Sequence, residues 1–451
     1  MKCHSARGAS VAILLAALTS TAWCQDTGLP SLFPLPPLPP VANGYAVART
    51  AANDALWGQA EPSPVQTTPL QSPEPIPPGQ ATLSPDYADA MKGGYDSGTA
   101  GIGSPCGGAN CCHHHYVFAN VLTMSHVKAG GFVPSVDTVT GDQRLNFCNS
   151  EFGNIWRGGF EVGAGWCFGG GCGSCGCCPT CALELVYWGL MPTQSSVHSF
   201  DNMNSTIDFG DLTYNGANAN AAFNNAEAQR ISNSWGFNSV EANIVGNCCG
   251  RGPFGCGMCG CCGSNGGPWG FGYTAGFRYM NIFDRFIYSS SPTFDFQDPT
   301  AANYLVATTN NLFGFQLGAG LSYCVTNRFT AYAIGKAGIY DNSVTALQRV
   351  YGTQGNAVIL NGPNAGQDFV VRTAPLATLA TSAQLDLGGR WAVTNNWSVN
   401  AGYRVLGVAG VATTDTNIHT QNFHDVDGIA FTNRMGNFLI HGLFAGAVYC
   451  W

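Results

Sequence analysis

The stretch FGFQLGAGLSY, residues 313–323, alternates without a break. Phe313, Phe315, Leu317, Ala319, Leu321 and Tyr323 are apolar, and the residues between them are only Gly, Gln and Ser. Successive side chains of a strand point to opposite faces, so this strand has one greasy face and one nearly bare face. A soluble β-sandwich also alternates, but its polar face meets water and carries Lys, Glu and Arg. Here only 10% of residues are charged and 59 glycines take their place, against about 25% charged residues in ordinary soluble domains. The economical reading turns the greasy face toward hydrocarbon and the bare face toward a lumen. Only helices and closed barrels satisfy every backbone group in lipid.

The pattern recurs. WRGGFEVGAGWCF (156–168) sets Trp156, Phe160, Val162, Ala164, Trp166 and Phe168 against Arg157, Gly159, Glu161, Gly163 and Gly165. FGYTAGFRY (271–279) opposes five apolar residues to Thr274, Gly276 and Arg278, and QLDLGGRW opposes Leu385, Leu387 and Trp391 to Gln384, Asp386, Gly388 and Arg390. WSVNAGYRV (397–405) places Asn400, Gly402 and Arg404 on the bare side. Periodicity predicts strands near 116–128, 155–168, 181–191, 229–246, 268–283, 303–323, 328–343, 369–392, 397–412 and 434–451. CVTNR and VTNNW read as tight turns, whereas 192–228, 344–368 and 413–433 read as long polar loops. The expectation is an all-β, antiparallel transmembrane barrel of about 10 strands, or 12 if STIDFGDLTY adds a hairpin. An even number brings both chain ends to the short-turn, periplasmic side.

The first residues fit export. Lys2 and Arg7 precede the apolar run ASVAILLAALTSTAW, too short for a comfortable membrane span, so 1–24 reads as a signal peptide. Residues 29–85 hold 14 of the 24 prolines, which disfavours packed structure and predicts a disordered periplasmic arm over 25–112. The barrel is assigned 113–451. Its end, GAVYCW, supplies Gly446, Tyr449 and the terminal Trp451, in the style of the last-strand signal read by the outer-membrane assembly machinery.

The stretches SVEANIV (239–245), AGFRYMNIFDRF (275–286), NNLFGFQLGAG (310–320), GKAGIY (335–340), AGYRVLGVAGVA (401–412) and HGLFAGAVY (441–449) resemble the planctomycete outer-membrane β-barrel family. The resemblance covers roughly 113–451, in order, and implies an outer-membrane barrel. It supplies neither a substrate nor an activity, and it does not account for the Pro-rich arm or the cysteines.

Of 20 cysteines, 18 remain after signal removal. Cys106, Cys111 and Cys112 precede the first strand. Cys167, Cys172, Cys175, Cys177, Cys178 and Cys181 fill the turn after the second strand, and Cys248, Cys249, Cys256, Cys259, Cys261 and Cys262 fill the turn after the fourth. Cys324 and Cys450 fall at later turns or ends, so on this topology 17 gather at the periplasmic mouth and only Cys148 lies in an outer loop. Three-residue spacing and the neighbouring His113, His114 and His115 would suit zinc or an iron–sulfur cluster. An exported, oxidising setting favours structural disulfides instead, forming a cap that could also join other envelope proteins. No resident cofactor is therefore expected, and zinc at this Cys/His-rich end is the lesser alternative.

The expected lumen-facing charges are Arg157, Glu161, Arg278, Asp386, Arg390 and Arg404, with Glu184, Glu241 and Lys336 on less regular strands. Near balance of sign predicts cross-strand ion pairs and a narrow or plugged lumen. His126 and His441 fall at similar heights on the first and last strands, a conceivable acid–base pair, but hydrogen-bonded strand histidines are the simpler reading. No basic patch or phosphate loop points to nucleic acid. The expected molecule is a monomeric, non-enzymatic barrel in contact with outer-membrane lipid, structural in role. A narrow passive pore is the second reading and a barrel hydrolase the third.

Overall fold

The computed structural model describes residues 115–127, 131–147, 156–168, 181–247, 252–254, 268–373, 376–432 and 434–451. The expected signal peptide and Pro-rich arm lie outside the described residues. So do Cys106, Cys111, Cys112, Cys148, Cys172, Cys175, Cys177, Cys178, Cys248, Cys249, Cys256, Cys259, Cys261 and Cys262.

Ten long strands carry the fold: β1 (His115–Val127), β2 (Arg157–Phe168), β3 (Cys181–Ser205), β4 (Ala226–Asn247), β5 (Trp269–Ser291), β6 (Ala302–Cys324), β7 (Phe329–Gly352), β8 (Leu376–Ala392), β9 (Trp397–Val411) and β10 (Gly436–Cys450). Each pairs antiparallel with its sequence neighbours, and β1 pairs β10 from Tyr116↔Cys450 to Val127↔Leu439. The ten long strands therefore close into a ring, as lipid demands. The all-β, ten-stranded barrel expected from periodicity is the one observed. Two tight turns use one device: Phe329 N–H donates to Thr326 Oγ1, and Trp397 N–H donates to Thr394 Oγ1, both at 3.0 Å.

The outward face is apolar. Phe277, Leu317, Trp166 and Phe315 are 57%, 55%, 46% and 45% exposed, the reverse of a water-soluble core. From Phe313 to Tyr323, ten residue-to-residue steps of about 3.3 Å each, tilted by roughly 40°, cover about 25 Å, the height of an outer-membrane apolar band. Trp166, Trp269, Trp391, Trp397 and Trp451 are exposed near its short-turn edge. The other edge is marked by Asn238, Asn281 and Asn311, cross-strand neighbours on β4, β5 and β6. Tyr187 Oη donates to Asn238 (3.0 Å) and Tyr279 Oη to Asn311 (2.8 Å).

Beyond that polar edge the structure corrects several expected boundaries. β3 runs to Ser205, β4 starts at Ala226, β5 runs to Ser291 and β7 to Gly352, so much of the supposed loops 192–228 and 344–368 is strand. Outside lipid the outward face has no need to be apolar, and the alternation that marks a strand fades. β8 starts later than expected, at Leu376, because Val370–Arg372 pairs separately with β7. The STIDFGDLTY region adds no barrel strands: Leu212–Tyr214 pairs with Ala217–Asn218 and Val358–Ile359 in a small separate sheet. Two short helices, α1 (Asn220–Phe223) and α2 (Val426–Ala430), complete the loop end. Phe209, Phe223, Tyr288, Tyr304, Phe369 and Phe423 bury a shared apolar core there, a roof over the tall wall β3–β7.

Candidate functional site: the charged lumen

Strand alternation points Arg157, Glu161, Arg278, Asp386, Arg390 and Arg404 inward, and each is at least nine-tenths buried. Glu184 and Glu241 are buried with them. Asp386 and Arg404 sit directly opposite on β8 and β9, as do Glu241 and Arg278 on β4 and β5. The lumen then joins these pairs across its width. Arg404 Nε and Nη2 donate to the two oxygens of Asp386 at 2.9 Å, and its Nη1 reaches Glu161 at 2.9 Å. The second Glu161 oxygen accepts from Asn120 Nδ2 (2.6 Å).

A second group centres on Glu241. It accepts from Lys336 Nζ (2.9 Å) and Gln316 Nε2 (2.7 Å), with Arg278 Nε at 3.5 Å. Gln384 links the two groups, accepting from Arg278 Nη1 (3.0 Å) and donating to Asp386 (3.1 Å). The bidentate Arg404–Asp386 pair and the contacts around Glu241 are what makes charge tolerable in a dry interior. Glu184 accepts from Tyr116 Oη at 2.7 Å. A cavity of about 80 Å³ remains between Glu161, Glu184, Lys336, Asp386, Arg390 and Arg404, with room for a few waters.

Aromatic side chains fill the rest. Trp188 is fully buried, with the Arg404 and Arg278 guanidinium carbons 5.0 and 5.5 Å from its ring centroid, and the tilted ring of Phe237 packs against it at 4.3 Å. Arg390 lies over Tyr332 and Arg157 over Trp235. At the short-turn mouth Pro253 and Phe254 line the cavity, and Asn247 holds Phe254 by donating Nδ2 to its carbonyl at 2.5 Å. At the loop mouth Asn310 Nδ2 donates to the Ala412 carbonyl and Oδ1 accepts from the Ala412 N–H, each at 2.8 Å. Asp284 accepts from the Thr414 N–H (3.0 Å) and Oγ1 (2.6 Å). Thus the β9–β10 connection is tied down inside the barrel.

The sequence reading put Gln384 on the inward face without a partner and passed over Asn120, Gln316, Trp188, Asp284 and Phe254 as site residues. Gln316 had a usable signal, being the one long polar side chain on the bare face of 313–323. The partners of a lumen are set by closure of the ring, which no local pattern encodes.

Outside the membrane band, three titratable groups are held in place. Burial opposes ionisation of Asp211, but hydrogen bonds from His424 (2.7 Å) and Asn361 keep its pKa below the ordinary carboxylate range. Asp137 lies well below that range because the Thr140 N–H, Arg144 and the Val139 N–H all donate to it. Burial lowers the pKa of His419, whose Nδ1 lies 3.1 Å from Gln348 Nε2.

The two histidines of the hydrolase reading are level but face opposite ways. His126 pairs with Ile440 and Ser125 with His441. His126 is buried against Phe438 and Trp235, whereas His441 meets Tyr403 Oη on the outer surface at 2.5 Å. They form no acid–base pair. At the chain end Gly446 is shut in, since a Cβ there would lie 2.0 Å from the Ala119 carbonyl. Tyr449 faces outward between Trp397 (4.8 Å) and Trp451 (5.5 Å), and Trp451 exchanges backbone hydrogen bonds with His115. Of the described cysteines, Cys167, Cys324 and Cys450 are in disulfide bonds, and Cys181 Sγ lies 3.8 Å from Tyr273 Oη. All four stand at the short-turn end.

No protein-family model matches the chain, and no curated protein matches it. Solved structures similar to it include outer-membrane proteins. The outer membrane protease OmpT of Escherichia coli aligns at 11% identity and TM-score 0.36, over 75% of this chain and 97% of that one. A major outer membrane protein of Thermus thermophilus aligns at 10% identity and TM-score 0.28, over 75% and 99%. A Pseudomonas aeruginosa FadL homologue aligns at 8% and 0.22, over 74% and 90%. The closed, ten-stranded antiparallel barrel itself stands on the strand pairing.

Proposed function

We propose that this chain is a closed, non-enzymatic architectural barrel of the outer membrane that spends its lumen on rigidity and presents the loop roof outside the cell. The observation carrying this reading is the bonded charge network through Arg404, Asp386, Gln384, Arg278 and Glu241, stacked on a fully buried Trp188. A selective pore needs polar groups free to exchange with water or a passing solute, and here they are committed to one another. The short-turn end is read as periplasmic, and its cysteine-rich connections, most of which lie outside the described residues, are read as a disulfide-stapled cap. Gly446 and Tyr449 of the last strand, with Trp451 just after it, are read as the signal offered to the assembly machinery. The resemblance to the planctomycete outer-membrane β-barrel family implies an outer-membrane barrel and no particular role, and the barrel is read as a monomer that touches other envelope proteins through its cap. Reconstitution of the oxidised full chain into planar bilayers tests the reading. No stepwise conductance is expected below the voltage at which the bilayer itself fails; regular single-channel steps would replace the architectural barrel with a pore.

A further inference from the structure

The inward charges do not all meet. Four bases (Arg278, Lys336, Arg390 and Arg404) and four acids (Glu161, Glu184, Glu241 and Asp386) gather around the cavity and its network. Arg157 stands apart, at the loop-end start of β2 opposite Met124. It is 1% exposed, and its Nε, Nη1 and Nη2 have no hydrogen-bond partner among the described residues. Its guanidinium carbon lies 5.3 Å from the centroid of Trp235, which packs with His126 (5.2 Å) and Phe438 (5.9 Å). The acid level with Trp235 in the ladder, Asp284, is engaged by the Thr414 N–H and hydroxyl.

A guanidinium stays charged at any physiological pH, and its N–H donors form a rigid fork. Buried without acceptors it is among the least favourable arrangements a protein interior holds, and an aromatic face offsets only part of that cost. The planar fork matches a carboxylate, whose two oxygens take parallel N–H bonds. Aromatic walls on one side favour a ligand with a short apolar body. We infer that the loop end of the lumen is a binding site for a small carboxylate, held bidentate by Arg157 beside Trp235. This goes beyond the architectural reading and stands whether or not the barrel conducts.

The test uses the full chain folded in detergent at constant ionic strength, with chloride exchanged stepwise for acetate. The wild type is expected to show a saturable rise in unfolding temperature and a saturable change in tryptophan emission as acetate replaces chloride. Arg157→Met should abolish both responses. Arg157→Lys, which keeps the charge but loses the fork, should weaken the apparent acetate affinity by about tenfold. Saturation transfer from protein to the acetate methyl protons, present in the wild type and absent in Arg157→Met, reads binding independently of stability. No difference between acetate and chloride in the wild type, or an unchanged acetate response in Arg157→Met, overturns the site.

Discussion

The two faces of a single strand answer to opposite solvents, and single substitutions separate them. Leu317 lies midway along β6 between Tyr323 and Asn311 and faces outward. Leu317→Arg is expected to cost about 2–4 kcal/mol when folding into vesicles is followed against denaturant, the range for a cation near the bilayer midplane. On the inner face Arg404→Gln should cost about 3–5 kcal/mol in the same assay, since Asp386 and Glu161 keep their charges and lose their partner. The triple change Arg404→Met, Glu161→Gln, Asp386→Asn should recover most of that loss; no recovery would mean that the strength of the lumen does not lie in the pair. The bare face of these strands was legible from alternation alone: Glu161, Arg278, Asp386 and Arg404 each sit between outward aromatics or aliphatics in the chain. What each would touch was not. Arg404 meets Glu161 because β9, β10, β1 and β2 curve around a common axis. The packing of Tyr116 across Gly165, where a Cβ would fall 2.0 Å from the ring, follows from the same closure.

At the level of elements, the strands were readable where lipid imposes a rule and unreadable where it stops. β9 and β10 were placed within two residues of their observed ends, while β3 was cut short at 191 because TQSSVHSF carries no apolar outward stripe. The roof these extensions support is coupled to pH through His419, next to Gln348 and beneath Tyr304, whose hydroxyl accepts from the His419 N–H at 3.1 Å. Burial lowers the His419 pKa, so the packed loop binds fewer protons than the released loop, where the imidazole keeps a pKa of about 6.5. The stabilisation is complete above that value and shrinks as pH falls through it. Hydrogen exchange across 412–432, corrected for intrinsic rate, should therefore quicken at pH 5.5 relative to 7.5, and His419→Gln should remove the difference. Asp211 acts in a separate window: its lowered pKa keeps its contribution intact above the normal carboxylate range and loses it only at more acidic pH.

For the molecule as a whole, three obstructions lie in series along the lumen. The tied β9–β10 connection closes the loop end, the ion network on Trp188 fills the middle, and Pro253–Phe254 occupies the short-turn mouth. Resistances in series are governed by the narrowest, and the middle layer is built from the barrel wall itself. A plug borrowed from a connection can leave without disturbing the ladder, whereas Trp188, Arg278 and Arg404 cannot move without breaking pairs across the ring. Asn247→Ala combined with Phe254→Ala removes both hydrogen bonds between these residues and the ring that reaches toward Gly272 and Gly320. That variant is expected to fold with a slightly loosened mouth and to remain silent in planar bilayers. Trp188→Ala combined with Phe237→Ala opens the middle layer, and conductance is expected only when it is joined both to the first pair and to Asn310→Ala with Asp284→Ala, which release the tied connection at the loop end. Steps from the Asn247/Phe254 variant alone would show that the constriction sits in the turn, and that the ion network lines a water-filled path instead of sealing one.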